Sequence, residues 1–254
     1  MAIIGTLPNN IQDGQIADAV PVMADFNFIV NQVNANAQPI ATPSVGSLVS
    51  VQVFSTVGTT TYTANPLANS VVVEILGGGA AGGGAVATGA GQASAAGPGG
   101  AGGYVRARIT TGFNGASVVV GAGGNGVTGA PGGPGGASSF GGSQVAGGGV
   151  SGSITSAVTG TAYAFPGAGG SASGGSIINA PGGISSFGSL AVSSISGLAV
   201  AGSGSNSIYG RGGTTVTNAT GFGSGGAGSA NVASSAAQTG SGGAQGIVIV
   251  YEYA

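Results

Sequence analysis

Ser70-Val-Val-Val-Glu-Ile-Leu76 runs directly into Gly77-Gly-Gly-Ala-Ala-Gly-Gly-Gly84, and this junction decides the fold. The first half is β-branched and apolar, as strands are. With a period of two, Val71, Val73 and Ile75 line one face, and Val72, Glu74 and Leu76 the other. The second half contains nothing larger than alanine. Without Cβ atoms, extended polyproline-II-like segments of about 3.1 Å per residue can pack side by side. Such a segment has no internal hydrogen bonds, so its N–H and C=O groups must bond to neighbours. Fixing each residue costs about 1–2 kcal/mol of backbone entropy, most for glycine. Only a cooperative stack beside a β core offsets that, and the sequence supplies both.

The same alternation continues along the chain. Residues 1–76 hold four of the 58 glycines, Gly5, Gly14, Gly46 and Gly58, leaving 54 for the rest. Tracts at 77–84, 97–103, 121–149, 167–175, 221–228 and 240–246 lie between segments that read as strands: 48–55, 59–63, 70–76, 104–110, 117–120 and 247–253. The last strand reads as the partner of 70–76, closing the domain. No Gly-X-Y period runs through the tracts, which excludes collagen. Pro134-Gly-Gly-Ala-Ser-Ser-Phe140 returns as Pro181-Gly-Gly-Ile-Ser-Ser-Phe187, and Gly121-Ala-Gly-Gly124 returns as Gly167-Ala-Gly-Gly170. These paired matches point to chain passes over one stack, with Phe140 and Phe187 as internal packing. The expected fold is mainly β: a short N-terminal helix (domain 1–44), then a β-sandwich-like domain (45–254) with packed polyglycine-II or polyproline-II-like segments.

Within residues 1–44, Asp18 is placed to cap a helix whose first turn tolerates Pro21. Met23, Phe26, Val30, Val33 and Ala37 then fall at spacings of 3, 4, 3 and 4, a heptad seam that ends before Pro39. The seam serves either packing within its own domain or a short multi-chain bundle. So short a helix is marginal alone in water, which favours the bundle, with Met23, Phe26, Val30 and Val33 as oligomerisation and attachment residues.

Composition excludes most chemistry. The chain has no histidine, cysteine, lysine or tryptophan, and three basic against five acidic residues in 254. Ser-His, Cys-His, zinc and thiol sites lack their parts, as do P-loops and Schiff bases. We therefore expect no enzyme, no catalytic residues, no metal and no cofactor. Three arginines make no positive stripe, so no nucleic-acid partner is expected. Val118-Val-Val-Gly-Ala-Gly-Gly-Asn-Gly126 matches a dinucleotide fingerprint in letters alone. The loop continues into Val-Thr-Gly-Ala-Pro-Gly-Gly-Pro, where no helix can start, and no acid follows until Glu252. The start, MAIIGTLPNN, has neither the basic nor the apolar region of a signal peptide, so Asn218-Ala-Thr220 is not expected to be glycosylated. No run of about 20 apolar residues is present for membrane insertion. Disorder needs low hydrophobicity with high net charge, whereas this chain is 42% hydrophobic and 3% charged.

Few residues remain for function. Arg106 and Arg108 share a strand face with Tyr104 and are expected to neutralise Glu74 and Glu252 on neighbouring strands. Arg211 then has no obvious partner: it is either a solvated loop cation or a ligand contact. Two islands where glycine thins out, 151–165 and 203–220, are rich in Ser, Thr, Asn and aromatics. Aromatics beside small polar groups suit sugar rings or protein surfaces. The candidate receptor-binding residues are Tyr163, Phe165, Asn206, Tyr209 and Arg211.

Several segments together resemble a family. Asn10-Ile-Gln-Asp-Gly-Gln-Ile-Ala-Asp18 followed by Val22–Asn36 is similar to the virion-proximal segment of tail fibres of tailed bacteriophages. The order of Phe54–Thr63, Val71–Gly79, Gly102-Gly-Tyr104, Val118–Gly124, the Ser-Ser-Phe-Gly turns and Gly246–Tyr253 resembles their glycine-rich receptor-binding (adhesin) module. The chain departs from that pattern at Leu76, where tryptophan is usual. The resemblance implies a homotrimeric virion (tail) protein whose N-terminus docks on a tail or baseplate protein. Loops of its polyglycine-II sandwich would contact a bacterial surface protein or glycan. Alternative readings are a structural tail or capsid-decorating protein without receptor binding, and an ice-binding stack.

Overall fold

A computed structural model describes residues 19–36, 43–185, 187–193, 198–215 and 217–254. The chain divides into two compact units, Met1–Ser44 and Val45–Ala254. In the first, one α-helix spans Ala19–Asn36. Its seam residues Met23, Phe26, Val30 and Val33 are all exposed. Asp18 and Ala37, the expected cap and last seam position, lie outside the described residues. Among the described residues no helix is long and apolar enough to cross a membrane.

The second unit is mainly β, as its sequence indicates. Two five-stranded antiparallel sheets face each other. The first has the spatial order Leu48–Phe54, Ile247–Tyr253, Ser70–Leu76, Tyr104–Ile109 and Ile178–Ala180. The C-terminal strand thus lies against Ser70–Leu76, from Ile247 opposite Leu76 to Tyr253 opposite Ser70. The second sheet has the order Ala172–Ser173, Gln144–Ala146, Ser138–Phe140, Ser117–Val120 and Gly58–Thr61. Val71, Val73, Ile75, Val105, Val248 and Val250 from one sheet meet Val118, Val120 and Phe140 from the other. Tyr62 fills the centre, edge-on to Phe54 and Phe140 at 6.4 and 5.4 Å between ring centroids. Burying side chains of this size is worth roughly 1.5–3 kcal/mol each, which anchors the unit.

Strands then hand over to glycine segments without a turn. The segment after Leu76 donates its amides in a cycle of three. Gly77, Ala80 and Gly83 bond the carbonyls of Gly103, Gly100 and Gly97; Gly78, Ala81 and Gly84 bond those of Gly136, Gly133 and Ala130; Gly79 and Gly82 bond those of Ala244 and Ser241. Its carbonyls in turn accept from Gly149, Gly124 and Gly226, in three further segments. One chain ringed by six others, with hydrogen bonds rotating every third residue, is the packing expected of a three-residue-per-turn helix. A Cβ at Gly82 would sit 1.8 Å from the Ala227 carbonyl oxygen, and at Gly79 2.0 Å from that of Ser224, so only glycine fits there.

The near-repeat marks two equivalent passes of this stack. Gly136 accepts from Gly78 as Gly183, 47 residues later, accepts from Ala101. Gly124 donates to Gly79 as Gly170 donates to Ala101. The phenylalanines, however, part ways. Phe140 is buried in the sandwich, but Phe187 is 46% exposed. Phe140 lies on a strand of the sandwich that pairs with Ser117–Val120, whereas Phe187 lies outside the strands, just before Ser189–Val192. The expectation of internal packing is therefore corrected for Phe187.

A second, smaller core consists of alanine: Ala93, Ala95, Ala162, Ala164, Ala191 and Ala230. It lies between Ser94–Ala96 paired with Ser229–Asn231 and a three-stranded sheet of Ala199–Val200, Ser189–Val192 and Thr161–Ala164. Most residues of these strands are alanine or serine, and none of the strands is among those expected from the sequence.

Candidate functional site

Two outward-facing features take up the candidate residues. The first is an aromatic pair. On the strand Thr161–Ala164, alternation turns Ala162 and Ala164 into the alanine core and Tyr163 outward. Tyr163 and the following Phe165 pack edge to face, with centroids 5.0 Å apart and planes at 87°. Both are exposed, Phe165 at 65%. Ser153 holds their backbone, its hydroxyl accepting from the Phe165 amide at 2.6 Å. The Tyr163 ring lies over Gly188, where an added Cβ would approach it to 3.0 Å, so the pair borders the loop that carries Phe187.

The second feature is a groove of about 460 Å³ lined by residues 183–185, 187, 203–206, 211, 212 and 214. Ile184 and Phe187, both exposed, are its large apolar lining residues, and Asn206 and Arg211 are among its polar ones. The loops are pinned to the stack by backbone bonds: Ala101 to Gly183, Ser205 to Gly99, Gly225 to Ser205 and Gly204 to Gly213. The Gly212 amide donates to Asn206 Oδ1 at 2.8 Å, which fixes the amide orientation and leaves Nδ2 as a donor. Arg211 has no ion pair among the described residues.

Tyr209 occupies a different environment from Asn206 and Arg211. It sits on the hairpin strand Tyr209–Arg211, paired with Thr220–Phe222, and its hydroxyl donates to Glu74. Burial first, then the bond to Glu74 and its charge, push the Tyr209 phenol above its ordinary value. Glu74 also faces Arg106 across the sheet, at 3.3 Å. The Tyr104 phenol is pushed up to about 12, by burial and then by the Glu74 charge. Tyr209 therefore ties the groove hairpin to the sheet, while Arg211 two residues on stays exposed.

The expected pairing of arginine with both glutamates holds for Glu74 alone. Glu252 lies on the inner face of its strand and is fully buried, whereas Arg106 and Arg108 lie on the outer face of theirs. Its carboxylate instead accepts from the Tyr62 hydroxyl, the Asn65 amide at 2.9 Å and Gln52 Nε2 at 3.1 Å.

No family model matches the chain, and no curated protein matches it. The site is therefore read from its own geometry. Ile184 and Phe187 are the residues that sequence reasoning missed; their only signal was membership of the near-repeat, which suggested burial. The structure brings Asn206 and Arg211 together with them, places Tyr163 and Phe165 beside their loop, and engages Tyr209 from below.

Proposed function

We propose that the chain is a tail-fibre protein of a tailed bacteriophage, without enzymatic activity. Residues 1–44 attach it to a tail or baseplate protein and assemble it as a homotrimer. Residues 45–254 recognise the bacterial surface through the Tyr163–Phe165 pair and the groove of Asn206, Arg211, Ile184 and Phe187. The observation that carries this reading is outward-facing aromatic and cationic side chains on a backbone-locked scaffold. A chain with three cations and buried apolar strands keeps two guanidiniums, Arg108 and Arg211, without an ion pair among the described residues and several large apolar groups in water. Exposed aromatic groups on rigid supports are the usual composition of recognition surfaces. The exposed seam of the Ala19–Asn36 helix supports assembly in the same way.

The test is competition. Purified chain is expected to bind host cells and to reduce infection by the phage that carries it, and Tyr163→Ala with Phe165→Ala to weaken both effects. Failure to bind or to compete would leave the structural tail or capsid-decorating reading in its place.

A further inference from the structure

We infer that the groove lined by residues 183–185, 187, 203–206, 211, 212 and 214 is a subsite for a carboxylate-bearing sugar unit of an acidic polysaccharide, an inference that rests on the host-recognition reading above. Charge comes first. The β unit contains two carboxylates, Glu74 and Glu252, and both are engaged, the first by Arg106 and Tyr209 and the second by Tyr62, Asn65 and Gln52. Arg108 and Arg211 are thus both without an ion pair among the described residues, and Arg211 is the one that lines this groove, where its planar fork of donors matches a carboxylate from outside.

The apolar lining selects a ring. Phe187 and Ile184 present exposed apolar surface, suited to the C–H face of a pyranose. Asn206, also in the lining, keeps Nδ2 as a donor for a hydroxyl, because its Oδ1 is already held by Gly212. A volume of about 460 Å³ lies within the roughly 300–1,000 Å³ of small-ligand sites and suits one or two sugar units. A single guanidinium in a partly apolar lining does not suit a phosphate backbone, which needs several cations.

Preorganisation completes the case. Gly183 packs against the Ser205 hydroxyl, Gly204 bonds Gly213, and Tyr209 fixes the hairpin through Glu74. Binding then orders few groups, which is what weakly contacting sugars require.

The test uses the full chain and oligomers of galacturonate, glucuronate and N-acetylneuraminate, each beside its methyl ester, which keeps the ring and removes the charge. At least one acid is expected to bind, its ester to bind about tenfold or more weakly, and Arg211→Gln to give the same loss with no further loss for the ester. Phe187→Ala is expected to weaken acid and ester alike. The inference is overturned if no acid binds, if acid and ester bind equally, or if Arg211→Gln leaves acid binding unchanged. Host-cell binding is measured in parallel. Cells bound without acid-sugar binding overturn the subsite alone, whereas no binding to cells overturns the host-recognition reading itself.

Discussion

Glu252 is a charged group inside a hydrophobic sandwich with no cation beside it. Burial alone would raise its carboxyl; donors from Tyr62, Asn65, Ser50 and Gln52 outweigh that and hold it below the ordinary value of 4.5. A carboxyl whose folded pKa is lowered contributes stability that is whole above the unfolded value and lost as the pH falls through the folded one. The unfolding midpoint is therefore expected to drop as the pH falls below about 4.5. Glu252→Gln should lower stability at neutral pH by about 1.5–3 kcal/mol, the worth of hydrogen bonds to a charged group. It should also flatten the acid limb of a melting-temperature profile. An unchanged acid limb in this variant would show that other carboxyls set it.

At the scale of elements, the glycine segments and the helix make opposite demands. Gly82→Ala drives a methyl into the Ala227 carbonyl, backbone against backbone, with no side chain to give way. It is expected to cost more than about 4 kcal/mol or to prevent folding. Gly242→Ala is the control: its nearest neighbour would be Asn218 Oδ1 at 3.6 Å, an ordinary contact, so stability should change by less than about 1 kcal/mol. Denaturant unfolding of the two variants separates close packing from mere glycine content. For the helix, the proposed trimer predicts that Phe26→Asp with Val30→Asp yields a smaller species by light scattering, with the β unit still folded by circular dichroism. An unchanged mass would remove the seam from the assembly.

Residues 45–254 form a sandwich whose strands continue into a hydrogen-bonded stack, and the limits of this unit follow from both parts. Amides 77–84 each bond to a neighbouring segment, so hydrogen exchange should be slowest there and faster in the loops of the groove. On the alkaline side, Tyr62, Tyr104, Tyr209 and Tyr251 all titrate above the ordinary phenol value of 10.0, with burial the leading cause for each. A raised folded pKa gives stability that is whole below the unfolded value and lost as the pH climbs through the folded one. Stability is thus expected to hold to about pH 10 and to fall towards about 12, where Tyr104 ionises, which tyrosinate absorbance and melting followed together would check.

The amino-acid sequence by itself determined the strands rich in valine and isoleucine, the place of each glycine tract and the pairing of Ser70–Leu76 with Ile247–Tyr253, because β-branched alternation and the absence of Cβ atoms act locally. Tertiary structure alone decided which tract lies beside which, since a glycine segment carries no side chain that could encode its neighbour. It sent Phe140 into the core and left Phe187 exposed from the same motif, because only Phe140 lies on a strand of the sandwich. It gave Glu252 to a tyrosine instead of an arginine, because strand faces set by pairing put the arginines outside. The groove forms for the same reason: backbone bonds from Ala101 to Gly183, Ser205 to Gly99 and Gly204 to Gly213 bring segments distant in sequence together, with Asn206 and Tyr209 adding side-chain bonds.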